Sequence, residues 1–303
     1  MIPIINRWEK NVWKIKTFEY FFSAIGFFLL FIQFSNEWLK DYVQIIKFYL
    51  SLNSTILLSF IYVLVRTFPK TNFEYQLKGR DVTIALKIGD CFKNDGSLII
   101  PINSEFNVGL SGNVQKSASI QSNLISQYYD GKITHLEKDI KDVTNNKLNK
   151  IYFKSKYKNN KYLIGTVIEI RQKEKTFFLL ANSVKKKNSH VYIDINIFTE
   201  SLNELWNFLS KETSKQKIVT IPLLGTGMAG LTLTKNEVIK EIIKSFVASC
   251  SEKTYCEKLI ISINPDDIDN GLVQPEEIID FLRLKCEYTK FDLYENKING
   301  KPD

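Results

Sequence analysis

The sequence predicts an α/β domain, its mostly parallel or mixed sheet covered on both faces, tethered behind an N-terminal pair of membrane-spanning helices. Three observations carry this expectation. Two charge-free apolar runs stand near the N-terminus, β-branched runs alternate with helical patterns over the rest of the chain, and two glycine-bearing loops directly follow strands. With 303 residues, 44% hydrophobic and 24% charged, the chain can bury the core of one or two domains, which excludes disorder as its dominant state.

The first run, Tyr20 to Asn36, has 17 uncharged residues between Glu19 and Glu37; the second, Phe48 to Val65, has 18 between Lys47 and Arg66. As helices they cover roughly 25–27 Å, against a hydrocarbon thickness of about 30 Å. Trp8, Trp13 and Trp38 lie outside the runs, where an interfacial aromatic belt places them. A buried helical hairpin of a soluble domain is the alternative. A cleaved signal peptide fits poorly, because a second run follows. Arg7, Lys10, Lys14 and Lys16 precede the first run, and Arg66, Lys70, Lys78 and Arg80 follow the second. The connecting loop holds only Lys40 and Lys47, offset by Glu37 and Asp41. Both termini are therefore expected in the cytoplasm, with two spans between them. Ser51, Thr55 and Ser59 recur every fourth residue and give the second run a stripe of small hydroxyls, suited to close helix–helix approach in lipid and to self-association.

The expected organisation is thus a hairpin over residues 1–68, a polar linker over 69–80 and a cytoplasmic domain over 81–303. The net charge of +8 is uneven: residues 1–80 hold ten Lys and Arg against five Asp and Glu, and the remainder is nearly balanced, with 31 against 28. A nucleic-acid binder carries its surplus on the folded domain, so nucleic acid is not an expected partner. Cys91, Cys250, Cys256 and Cys286 form no CxxC pair, which argues against a disulfide framework or a zinc site and fits a reducing compartment. His135 and His190 are the only histidines, too few for histidine-rich metal chemistry.

Val82–Ile88 and Ser97–Ile102 read as strands, and Asn113–Tyr129 as a helix. Residues 130–160, dominated by Lys, Asn and Asp, read as an irregular excursion. Tyr162–Ile170 and Thr176–Ala181 follow as strands, a hairpin across Arg171–Lys175. A helix at Thr199–Ser210 leads to a strand at Lys217–Leu224. Thr234-Lys-Asn-Glu237 is a capping box that opens a helix with the apolar face Val238, Ile242, Ile243, Phe246 and Val247. A strand at Lys258–Ile263, a helix at Pro275–Leu284 and a last strand near Glu287–Leu293 complete the pattern.

Two loops carry candidate chemistry. Gly89-Asp90-Cys91-Phe92 follows one strand, and the next strand ends in Ile99-Ile100-Pro101-Ile102-Asn103-Ser104. Leu224-Gly225-Thr226-Gly227-Met228-Ala229-Gly230 lies between a strand and the capped helix. This loop fits the GxGxxG spacing, but a dinucleotide-binding domain places that motif in its first βα unit with an acid about 20 residues on, where this chain has Cys250. Glycine-rich backbone before a helix still makes an anion cradle, because free N–H groups and the helix dipole face the ligand; an ordinary tight turn is the alternative.

Together these residues resemble the macro domain, a three-layer α/β/α module with a mixed sheet that binds ADP-ribose. The family's pattern is a strand, Gly-Asp-Ile, a second strand ending in Asn-Ala-Ala-Asn, a glycine-rich loop and, later, Ser-Thr-Gly-Ile-Tyr-Gly. The resemblance covers residues 81–295 and implies an ADP-ribose derivative as ligand, with no cofactor. It implies that Asp90, followed by Cys91, hydrogen-bonds the adenine amino group and that Asn103 lies near the distal ribose. Gly109, Leu110, Ser111 and Gly112 then form the first phosphate loop, and Gly225, Thr226, Gly227, Met228, Ala229 and Gly230 the second. The departures matter. Ile100 replaces the family's first Asn, which weakens the case for an ADP-ribosyl hydrolase. Ala229, after Met228, replaces a bulky aromatic and leaves space beside the distal ribose for a substituent that Glu105 is near enough in sequence to contact.

A macro domain behind a two-span hairpin resembles the membrane-anchored effectors of the Thoeris anti-phage systems. That resemblance implies a signal made by a TIR-domain enzyme, ADP-ribose joined to histidine, and an effector without catalysis that acts on the bacterial cell membrane as a homo-oligomer. Two other readings stand: a membrane-tethered ADP-ribosyl hydrolase, and a lipid-surface scaffold using Lys147, Lys150, Lys154, Lys156, Lys158, Lys161 and Lys185-Lys186-Lys187.

Overall fold

The structure is a computed structural model that describes residues 15–38, 52–68, 70–108, 119–147, 162–185, 191–211, 216–225, 230–251 and 253–289. It divides into two compact units, Met1–Lys70 and Thr71–Asp303.

In the first unit two helices, α1 (Ile15–Trp38) and α2 (Leu52–Thr67), pack against each other. The 18-residue window Thr17–Phe34 of α1 is long and apolar enough to cross a membrane, and only 6% of it is buried. Phe22, Phe27, Leu30 and Phe34 are all exposed. The described part of α2 has 16 residues, below the length of a full crossing; the beginning of its apolar run, 48–51, lies outside the described residues. The hydroxyl stripe is not on the outside. Thr55 and Ser59 are fully buried within this unit, and the exposed side of α2 includes the apolar Ile56, Leu57, Phe60 and Ile61. The side chain of Ser51 lies outside the described residues.

The second unit is built on one sheet of β1 (Asn72–Gln76), β2 (Thr83–Ile88), β3 (Ser97–Asn103), β4 (Val167–Gln172), β5 (Lys175–Lys185), β6 (Val191–Tyr192), β7 (Gln216–Pro222) and β8 (Cys256–Ile263). The strand order is β1-β2-β8-β7-β3-β5-β4, with β6 on β5. The five central strands, β2, β8, β7, β3 and β5, run parallel, while β1 and β4 close the edges antiparallel. The sheet is therefore mixed, with its carboxyl ends gathered on one side.

Alternation along the strands feeds two cores. Ile99, Phe178 and Leu180 enter one core with Leu202, Trp206, Ile242 and Phe246. These last come from α5 (Ile195–Lys211) and α6 (Lys235–Ser249), which are joined on this face by α8 (Pro275–Tyr288). Leu98, Ile100, Ile102, Phe177 and Leu179 enter the other with Leu124, Ile125, Leu136 and Ile140, from α3 (Ile120–Tyr128) and α4 (Ile133–Lys147). This is the expected three-layer α/β/α arrangement, in which period-2 strands hydrophobic on both faces are covered by helices. A short helix, α7 (Pro265–Asp269), links β8 to α8.

Four expectations are corrected. The linker 69–80 contains β1, whose Phe73 and Tyr75 pack on the core while Asn72, Glu74 and Gln76 face out. The excursion 130–160 contains α4, because Ile133, Leu136, Ile140 and Val143 make an apolar stripe through a polar sequence. The strand expected near Glu287–Leu293 does not begin there: Glu287 and Tyr288 end α8, whose buried face Ile278, Leu282 and Cys286 sustains the helix, and 290–293 lie outside the described residues. Residues 162–166 turn before β4 begins at Val167, with Gly165 at φ 82°.

Candidate functional site

The parallel strands place the loops after β2, β3, β7 and β8 along the carboxyl edge of the sheet. From β2 to β3 is three strand spacings, roughly 14 Å. Ligands of open α/β sheets bind in this position.

Asp90 directly follows Gly89, which has φ 154°, a value open to glycine and strained for other residues. The Gly89 N–H donates to Ile263 O at 2.9 Å, and Ser262 Oγ donates to Gly89 O at 3.1 Å, so this loop is tied to the end of β8. Asp90 is exposed and caps the single 3-10 turn Cys91–Lys93, its Oδ1 accepting from Phe92 N at 3.0 Å. One carboxylate oxygen is thus used by the chain, and the exposed group faces solvent. Cys91 turns inward instead: it is buried among Leu98, Ile100 and Phe177, and burial pushes its thiol up to about 12. It offers a ligand its backbone and no side chain.

Asn103 ends β3 and spends its amide on its own loop. Its Oδ1 accepts from Glu105 N at 3.0 Å and Asn107 N at 3.4 Å, and its Nδ2 donates to Asn107 O at 2.8 Å. The loop closes with Phe106 at φ 52°, a strained value for a bulky residue, held by burial and an edge-on contact with Tyr162 at 5.3 Å. Asn103 therefore shapes the loop. Glu105 is partly exposed beside it.

Beyond β7, Gly225 has φ 71° and lies against Ile193; Gly230 has φ 73°, with no described atom near the position of a Cβ. Thr226, Gly227, Met228 and Ala229 lie outside the described residues, as do Gly109, Leu110, Ser111 and Gly112. The capping box is present: Thr234 Oγ1 accepts from Glu237 N, and the Glu237 carboxylate accepts from Thr234 N at 2.7 Å. Lys235, in the first turn of α6, pairs with Asp267 of α7. This brings the loop after β7 and the helix after β8 into one structure.

The structure thus gathers Asp90, Asn103 and Gly225 on a single edge. Among the described residues no cluster of His, Cys, Asp or Glu is arranged to hold a metal ion. Sequence reasoning missed Lys175, whose Nζ donates to Phe92 O and Asn94 O, both at 2.7 Å, across 83 and 81 residues of chain. No local signal marks such a pairing.

A mixed sheet of this order, covered on both faces and open at its carboxyl edge, defines a macro domain. The family model described as Thoeris protein ThsA, Macro domain, matches residues 84–264, more than half of the chain. The chain belongs to that family. Among solved structures, the Oceanobacillus iheyensis macrodomain with MES bound is 13% identical, with a TM-score of 0.46 over 70% of this chain and 96% of that one. A mutant of the same macrodomain with ADPR has a TM-score of 0.43 at 13% identity, over 72% and 97% of the two chains. The macro domain of ganglioside induced differentiation associated protein 2 has a TM-score of 0.41 at 14% identity, over 66% and 85%. No curated protein matches the chain.

Proposed function

We propose that this protein is a membrane-anchored effector of anti-phage defence that binds an ADP-ribose derivative at the carboxyl edge of its macro domain and answers by perturbing the bilayer. The observation that carries the reading is the convergence of Asp90, the Asn103 loop and Gly225 on one edge, just before the capped α6. An acceptor for a base amino group and a glycine-bearing anion cradle suit a ligand with adenine at one end and phosphates in its middle. The histidine conjugate of ADP-ribose, made by a TIR-domain enzyme, is the proposed signal, received beside Ala229 and Glu105.

The anchor in this reading is α1, with α2 completing a second crossing through the run that begins at Phe48, both termini lying in the cytoplasm of a bacterium. Assembly into a homo-oligomer uses the apolar outer faces of these helices. Titration calorimetry of the full chain in detergent, with ADP-ribose and with its histidine conjugate, tests the ligand. Saturable binding of at least one is expected, and binding of neither sinks the reading.

The hydrolase reading is disfavoured by Ile100. It is 1% exposed and part of the core beneath α3 and α4, so no amide is presented there to a distal ribose. Chromatography of an ADP-ribosylated substrate incubated with stoichiometric protein is expected to show no multiple turnover; turnover reinstates the enzyme.

A further inference from the structure

The turn that carries Asp90 is gripped from behind. It is one 3-10 turn, Cys91–Lys93, with Asp90 at its N-cap and Asn94 at its C-cap. At the C-cap end, where carbonyls lack partners and carry negative partial charge, the Lys175 ammonium donates to Phe92 O and Asn94 O. An anion at one end and a cation at the other therefore hold the same turn.

The protein accepts several local costs to place that ammonium. Lys175 is part-buried, and burial lowers its pKa from the ordinary value. The two-residue turn before it, Lys173-Glu174, holds both residues at positive φ, 48° and 64°, without a glycine. Lys173 is fastened in turn to Gln127 O at 3.1 Å and to Asp130 at 3.2 Å, at the end of α3. Phe92, Asn94, Lys173 and Lys175 line a recess of about 390 Å³; Asn94 is 3% exposed, and neither polar atom of its amide finds a partner among the described residues. Such costs persist where the surroundings demand one geometry.

We infer that Lys175 is a positioning residue for base recognition: by clamping the Phe92 and Asn94 carbonyls it fixes the Asp90 carboxylate where a 6-amino purine meets it. The inference rests on the proposed ADP-ribose site and adds a determinant of its specificity on a different strand, β5. A site built to hydrogen-bond an amino group rejects an analogue that presents an oxygen instead. Lys175 therefore contributes to discrimination between adenine and hypoxanthine.

The test measures the affinities of ADP-ribose and of inosine diphosphate ribose for the full chain in detergent. Wild type, Lys175→Met and the milder Lys175→Gln are compared, with far-ultraviolet circular dichroism as a check on folding. The wild type is expected to prefer ADP-ribose by tenfold or more. Lys175→Met is expected to bring that ratio below threefold by weakening ADP-ribose alone, and Lys175→Gln, which still donates to one carbonyl, to lie between. Equal loss for both ligands, or an unchanged ratio, overturns the inference, because a merely structural lysine lowers both affinities together. If Lys175→Met does not fold, an unchanged ratio in Lys175→Gln overturns it alone. A wild type that binds neither ligand removes the site reading instead, and the clamp's role with it.

Discussion

Thr55 and Ser59, one turn apart on α2, are both fully buried, and among the described residues neither hydroxyl oxygen has a hydrogen-bond partner. Their small size, not their polarity, serves the packing of the first unit. Replacing Thr55 by Val and Ser59 by Ala removes two orphaned polar groups at little change of shape, so the helix pair is expected to keep or gain stability, by about 1 kcal/mol for each group. Unfolding of the full chain by sodium dodecyl sulfate, followed by tryptophan fluorescence, reads this. A clear loss of resistance would mean that the hydroxyls bond to a partner absent from the isolated chain.

Asp90 caps its turn and, under the proposed function, also meets the ligand. Asp90→Ala removes both and is expected to cost about 1 kcal/mol of stability with roughly 1–3 kcal/mol of ADP-ribose affinity. Asp90→Asn keeps an acceptor oxygen toward Phe92 N, so it retains most of the stability and loses affinity. Denaturant titration and calorimetry on the two variants check this. Equal affinity in Asp90→Ala and wild type would place the base elsewhere.

The glycines flanking the second loop differ in their surroundings. At Gly230 an added Cβ meets no described atom within 4 Å, so among the described residues Gly230→Ala pays only for its left-handed backbone, roughly 1–2 kcal/mol. At Gly225 the same backbone cost is joined by a Cβ 3.1 Å from Ile193 Cδ1. Gly225→Ala should therefore be the more destabilised in urea, and the reverse order would contradict the described loop ends.

Three carboxylates bind the second unit together at its surface, and each is held below its ordinary value of 4.5. Hydrogen bonds from Lys258 first, then Asn72, hold Glu74; the Thr234 backbone, then its hydroxyl, hold Glu237; Lys240 is the main cause for Glu277. Because the folded values are depressed, the contribution is present above 4.5 and is lost as pH falls through the folded values. All three are exposed, so solvent and salt weaken each. The urea midpoint is expected to fall between neutral pH and about pH 3.5, with Glu277→Gln reducing the slope. A flat profile would show these pairs to be ornamental.

The elements that sequence made legible are those whose local pattern is strong. β2, β3 and β8 are runs of β-branched residues buried on both faces, and α6 announces itself by Thr234 and Glu237. β1 escaped because Asn72-Phe-Glu-Tyr-Gln76 is an edge strand, short and half polar, whose alternation is the pattern of a surface ribbon. α4 escaped because Lys, Asp and Asn fill its solvent face and outnumber four apolar residues. At the site, Asp90 and Gly225 were readable from their place after strands. The inward turn of Cys91 was not, since no local pattern shows that Cys91 and Phe92 are both buried while Asp90 before them is exposed. Lys175 was out of reach altogether, its partners being carbonyls that any residue supplies.

The antiparallel edge strand has one more consequence. β1 pairs Asn72 with Lys87 and Gln76 with Thr83, and the Ile88 N–H donates to Thr71 O at 2.8 Å. The chain arriving from α2 thus joins the sheet at the end of β2 from which Gly89 and Asp90 depart. A load carried by that chain enters the ladder at the Asn72–Lys87 end, so the rungs there bear it before the rung Gln76–Thr83 at the far end. The bond at that end, from the Ile88 N–H to Thr71 O, directly precedes the proposed base-recognition turn in sequence, so under the proposed function ligand occupancy and tension on the tether bear on the same rung. Native-state hydrogen exchange reads this directly: the Ile88 amide should exchange ahead of the other β1–β2 amides, and bound ligand should slow it most.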